Sequence, residues 1–423
     1  MLTPGDLSIY YPLGIPEPMS GTEVPKGGRQ RVGAVDGDLR VGPGARLEAD
    51  GRIVVGGTAR FEGSSEVAGA LECRNLEIDD GTVEVHGDVV VHDELRAHDG
   101  GLEIEGALTA RSVDVDRKLR VSGPASAEEF EVGGILEGGS TLASPRISVG
   151  GRFRLAGKLT GRTVEAGGSA ELAEVDLESI DVGGVIRLAG GTVRDRIDVG
   201  GRCVSDGPLT FGRLDVGGVV QLHGVAKGGK IEVGGLFSAD QDLTFDTLEI
   251  GGIGFIGGNG TGEGLDIGGK FEVKGALTLR DDLEVGGAIV IGEALQARRL
   301  EVGGSFKARR AVLSGEADVG GAIQTQEGVK AARLRIGRKA RVSGPLVGGR
   351  VEIDSRARVE DVFGDSIDLG DRAEARRICA ANVRLRDDSE VDEVLYTQSI
   401  EMGAHVRCRS PPRKVETLPA FPL

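Results

Sequence analysis

The chain contains no tryptophan, 3% aromatic residues, and four cysteines among 423 residues. So few rings suit a thin core of stacked aliphatic side chains better than a broad globular one. Cysteines 73, 203, 379 and 408 form no C-x-x-C pair, which removes a disulfide framework and the usual zinc spacing. No stretch approaches the ~20 apolar residues of a membrane-spanning helix. Proline is nearly missing from the middle of the chain. Pro4, Pro12, Pro16, Pro18 and Pro25 fall near the start and Pro411, Pro412, Pro419 and Pro422 near the end, with only Pro43, Pro124, Pro145, Pro208 and Pro345 between. Proline cannot donate to a strand ladder. Its distribution therefore predicts extended or disordered tails over 1–30 and 410–423, with strands over 31–409. Asp6 and the early prolines leave no basic region and no apolar run of the kind a signal peptide needs, so the chain reads as cytoplasmic.

Glycine, by contrast, is abundant at 72 residues, and most of it is periodic. Aliphatic-Gly-Gly corners recur at Val132, Val149, Ala166, Val182, Val199, Val216, Val233, Ile250, Ile267, Val285, Val302 and Val319. The register persists without paired glycines at Val115, Ile336, Ile353, Leu369, Leu385 and Met402. From Val115 to Met402, 17 intervals span 287 residues, about 16.9 residues each. A short fixed period sustained this long means a solenoid. Seventeen residues are too few for a helical or leucine-rich repeat, but they hold three extended segments with a corner between each.

The fold class that follows is all-β: a parallel, three-sided β-helix of about 22 coils. Its regular coils occupy 116–409 and less regular ones 31–115. Side chains alternate along a strand, so in Leu300-Glu301-Val302 the aliphatics point inward and the acid outward. Four residues after the anchor, Phe153, Ile186, Cys203, Val220, Phe237, Phe271, Ile289, Phe306 and Ile323 predict a second inward column. Glycine suits the corners through its tolerance of positive φ.

The residue before each anchor is acidic in most coils: Asp181, Asp198, Asp215, Glu232, Glu249, Asp266, Glu284, Glu301 and Asp318 form an unbroken series. Arg146, Arg196, Arg213, Lys230, Arg299, Arg333 and Arg350 lie two residues upstream, an incomplete basic column interrupted by Glu129, Asp282 and Glu316. Carboxylates stacked ~5 Å apart repel by about 1 kcal/mol in water. The stripe is therefore either a solvated face laced with salt bridges or a ladder for divalent cations or a basic partner. Under the cation reading, Mg²⁺ or Ca²⁺ raises the melting temperature more than NaCl of equal ionic strength.

His86, His92 and His98 recur every six residues, but on a three-sided coil that spacing directs them around different faces. Residues 257–265, GGNGTGEGL, partly match a calcium-binding nonapeptide, with Gly262 where the ligand aspartate belongs. No nucleophile–base constellation is present, and no catalytic, cofactor or metal residues are assigned. The net charge of −16 argues against nucleic acid as a partner. Leu7, Ile9, Tyr10, Tyr11, Leu13 and Ile15 give the N-terminal tail an apolar, aromatic character suited to a membrane surface, a partner protein, or the first coil of the chain itself.

The L-x-V-G-G repeat, as in Leu214-Asp215-Val216-Gly217-Gly218, together with proline-bearing tails, resembles the bactofilins and the related halofilins over roughly 32–408. That resemblance implies a right-handed β-helix and non-enzymatic, end-to-end polymerisation into cytoskeletal filaments with a role in cell shape. It also implies attachment to the inner face of the membrane through the apolar tail. A surface or viral β-helical fibre, and a carbohydrate-active enzyme on a β-helix, are the other readings of such a repeat.

Overall fold

The computed structural model describes residues 21–420, so the tail residues Leu7, Ile9, Tyr10, Tyr11, Leu13 and Ile15 lie outside it. The described chain is all-β, with no helix, and its parallel strands form a β-solenoid of about 23 turns. It divides into two compact units, Met1–Glu137 and Gly138–Leu423, which are described separately.

In the first unit the coils vary in length. Val24 pairs with Val41, Val41 with Phe61, Ile78 with Ala97, and Val113 with Phe130. The extra residues are absorbed as irregularities in register, for example between Glu48 and Arg52 and between Val55 and Thr58. The ladder begins earlier than the proline distribution suggests: Gly21–Val24 is already a strand, paired with Asp38–Val41. Pro25 follows this strand at a corner, where no ladder hydrogen bond is required of it.

In the second unit the three sides of the coil are distinct. One ladder runs Leu236–Ala239, Ile253–Ile256, Lys270–Val273, Ala288–Ile291. The next runs Gly260–Gly262, Leu277–Leu279, Ala294–Ala297. The third runs Thr247–Ile250, Gly264–Ile267, Asp282–Val285, Arg299–Val302. The inward column from Phe153 to Ile323 is buried at every expected position. Each such side chain contributes roughly 1.5–3 kcal/mol when removed from water. Another inward column alternates large and small. Phe211 pairs with Gly228, and a Cβ on either Gly228 or Gly262 would strike a phenyl ring, that of Phe211 or Phe245 respectively. In this column the rings of Phe211 and Phe245 occupy space that a glycine in an adjacent coil leaves open.

The corner glycines have a different cause from the one the sequence suggests. Nine described glycines have positive φ, and none belongs to the anchor corners. Instead, successive corners stack so closely that a Cβ on Gly217 would lie 2.7 Å from the Gly200 carbonyl oxygen, and one on Gly234 would lie 2.5 Å from that of Gly217. Steric contact between coils, not backbone handedness, excludes a side chain there.

After Val319 the corner changes type. Lys339, Arg356, Arg372, Asp388 and His405 take positive φ at corresponding places in successive coils. Ala340 N–H donates to Gly337 O, Ala357 to Asp354, Ala373 to Gly370, and Ser389 to Arg386, closing a tight turn in four of these coils. This is where the paired glycines disappear from the sequence. The ladder also continues past residue 409: Arg413–Lys414 pairs with Leu395–Tyr396, and Leu418 packs against a small core of Val347, Phe363 and Cys379. Pro411 and Pro412 precede this last strand, which leaves its own donors intact.

Candidate functional site

Strand alternation turns the residue before each anchor outward, and parallel register stacks those residues in line. The pairs Asp181↔Asp198, Asp198↔Asp215, Asp215↔Glu232, Glu232↔Glu249, Glu249↔Asp266, Asp266↔Glu284, Glu284↔Glu301 and Glu301↔Asp318 are all in register. Neighbouring carboxylates therefore sit one strand spacing apart, about 4.8 Å.

The basic column neutralises only part of this stripe. Arg196 lies 2.8 Å from Asp198. Arg213 bridges Asp215 at 3.5 Å and Glu232 at 2.5 Å, and Lys230 bridges Glu232 at 2.5 Å and Glu249 at 3.3 Å. Lys230 first, and Arg213 as well, hold the Glu232 carboxyl below the usual carboxylate range. Beyond Lys230 the basic column lapses: Thr247, Gly264 and Asp282 occupy its next places. Arg299 turns instead to Glu316, at 3.7 Å. Among the described residues Asp266, Glu284 and Glu301 have no ion-pair partner. Asp318 is half-buried, and that burial raises its carboxyl pKa despite Arg335 at 3.8 Å.

No group of three or more His, Cys, Asp or Glu converges to hold a metal ion among the described residues. The stripe is linear, so each carboxylate reaches its neighbours but does not enclose a point. The three histidines are not brought together. His86 links Glu66 at 3.0 Å and Glu105 at 3.1 Å, His92 meets Glu72 at 3.2 Å, and His98 meets Asp116 at 3.2 Å.

The nonapeptide-like segment has a structural task. Asp242 Oδ1 accepts a hydrogen bond from Asn259 N–H at 2.7 Å, and Asn259 Oδ1 accepts one from Ala276 N–H at 2.9 Å. Each side chain caps the corner of the following coil. Gly258 and Gly275 precede the capped residues because a Cβ at either place would collide with the capping oxygen. Asp88 and Asp387 do the same for Ala107 and Ala404, preceded by Gly106 and Gly403. An Asp or Asn followed about one period later by Gly-Ala or Gly-Asn was the readable signal.

Two further features stand out on the surface. The outward residues just after the Gly-Gly corners include Val219, Leu236 and Ile253, in register with one another, with Leu236 49% and Ile253 51% exposed. In the last complete coil among the described residues, Met402 continues an otherwise buried column: Leu385, its partner one coil earlier, is 1% exposed, whereas Met402 is 49% exposed. Comparison of the chain with protein-family models, with curated proteins and with solved structures finds no match.

Proposed function

We propose that this chain is a non-enzymatic structural protein of bactofilin-like character, a cytoplasmic scaffold that associates with further copies of itself end to end. The observation that carries the reading is the open core at the last described coil. Within the second unit Met402 continues a column of aliphatic side chains that is buried from Val149 to Leu385, and it stands half exposed. The strand bearing it, Glu390–Met402, pairs along Ser399–Met402 with the coil before. Among the described residues, no strand covers that stretch from the other side. An apolar core and an unpaired parallel edge together invite another β-structured chain. The apolar tail residues supply a second contact, with a membrane surface, in this reading.

Negative-stain electron microscopy and sedimentation of the full chain, of Met402→Lys and of a chain lacking residues 1–20 test the proposal. The truncation stops at residue 20 because Gly21–Val24 already belongs to the ladder. Concentration-dependent filaments that Met402→Lys abolishes would support end-to-end assembly. A single small species for the unaltered and truncated chains at every concentration would overturn it. Co-sedimentation with liposomes, lost on removal of 1–20, is the expected result for the tail.

A further inference from the structure

We infer that the second unit carries a docking face for a basic amphipathic α-helix of a partner protein, laid parallel to the direction in which the coils stack. The face consists of two outward rows, its banks, on either side of a glycine corner, its floor; Val219, Leu236 and Ile253 flank this corner but do not line the groove beside the acidic row. One bank is the aliphatic ladder Val219–Leu236–Ile253, bounded in register by Arg202 and Lys270. Phe255 extends it outward on the same strand as Ile253, with Lys274 Nζ 5.3 Å from its ring centroid. The floor is the stack of glycine corners, where coil-to-coil contact forbids side chains and leaves bare backbone. The other bank is the acidic stripe, and a shallow groove of about 510 Å³ runs along it, touching Glu232, Glu249, Asp266, Gly234 and Gly251.

The occupant follows from charge and spacing. Asp266 and the next stripe member, Glu284, have no cationic partner among the described residues, so lysines or arginines from outside would find unneutralised carboxylates. Two copies of this chain meeting symmetrically through the face would instead bring the same carboxylates toward one another. An anionic membrane would be repelled by them. Among secondary structures, a helix fits the repeat. Its pitch of about 5.4 Å drifts less than about 2 Å against three coils spaced about 4.8 Å apart. An extended strand repeats its side chains about every 6.8 Å and loses step at once. Side-chain-free glycines let the helix approach closely, as small residues do where helices pack. One edge of the helix would carry aliphatic residues at i, i+4 and i+7. The adjoining edge would carry the basic ones.

The inference is independent of end-to-end assembly and is tested on the full chain. The probe is a fluorescent helical peptide of about 18 residues with leucines along one edge and lysines along the next. A second peptide keeps the lysines but has serine for leucine. Binding of the first peptide, weakened about tenfold by Leu236→Ser/Ile253→Ser, is expected. Asp266→Asn/Glu284→Gln should weaken it as well and flatten its salt dependence. All four positions are outward-facing, so unchanged thermal melting separates lost binding from lost fold. Equal binding of the serine peptide would mean charge alone attracts it, and the inference would fail. It would also fail if neither double variant affected binding, if the aliphatic variant changed sedimentation of the protein by itself, or if phosphatidylserine vesicles bound in place of the peptide.

Discussion

At the residue scale the solenoid sorts its reactive groups by which way the strand turns them. Cys73 and Cys203 face inward, and burial pushes both thiols up to about 12; Cys379, also buried, rises to about 11. Cys408 is only partly covered. Thiolate is the reacting form, so iodoacetamide at neutral pH should label Cys408 first, with the other three modified only after unfolding, as read by peptide mass spectrometry. Rapid native labelling of Cys203 would contradict its inward placement. His86 is shifted in the same direction, but there the charged form is the one favoured. Glu105 and Glu66, on neighbouring coils, raise its pKa above the ordinary imidazole value. A raised folded value means the stabilisation is complete below about pH 6.5 and is lost as pH rises through the folded pKa. The ring is exposed, so the effect is small. The melting temperature of His86→Gln should fall below that of the unaltered chain at about pH 5.5 and converge with it by about pH 8.5. A gap that does not change with pH would mean His86 acts by packing.

At the scale of the element, the corner is the unit that decides whether coils can stack. Gly234→Ala places a Cβ 2.5 Å from the Gly217 carbonyl oxygen, and the nearest atoms are all Gly217 backbone, which cannot rotate away. It should cost about 1–3 kcal/mol, the usual range for overpacking. Gly33→Ala meets nothing within 4 Å at a φ open to alanine, so it should be neutral or slightly stabilising. Circular-dichroism melts of the two variants read the contrast directly. The corner is also where the sequence was legible in pattern but not in cause. The period, the inward columns and the outward acids could be read, because alternation and register are local rules repeated many times. The reason for Gly-Gly could not, because the clash lies between residues seventeen apart. The capping by Asp242 and Asn259 was hidden in the same way, and so was the shift to positive-φ turns at Lys339 and Arg356. The last strand, Arg413–Lys414, is not legible because the two prolines before it read as a tail. For the acidic stripe, the sequence showed which residues align. Only the geometry shows that Arg299 turns to Glu316, so that Glu301, like Asp266 and Glu284, has no ion-pair partner among the described residues.

For the whole molecule, two forces oppose each other if copies join through the open coil. Each copy carries a net charge of −16, which repels its neighbours at long range. The open coil offers apolar contact and strand pairing at short range. Salt separates the two, because raising ionic strength from about 0.01 M to about 0.15 M shortens the Debye length from about 30 Å to about 8 Å while leaving apolar contact intact. Assembly through the coil end should therefore become easier as salt is added. Amide hydrogen exchange can locate the contact. In a solenoid each coil is held mainly by its neighbours, so an end coil with one neighbour opens most readily. Peptides from 390–415 should exchange fast in dilute, low-salt protein and slow down as concentration or salt rises, while those from 214–302 stay unchanged. If instead 390–415 exchanges at the same rate throughout while filaments form, the copies meet elsewhere. If salt dissolves the filaments, charge attraction holds them, and the half-exposed Met402 is not the joint.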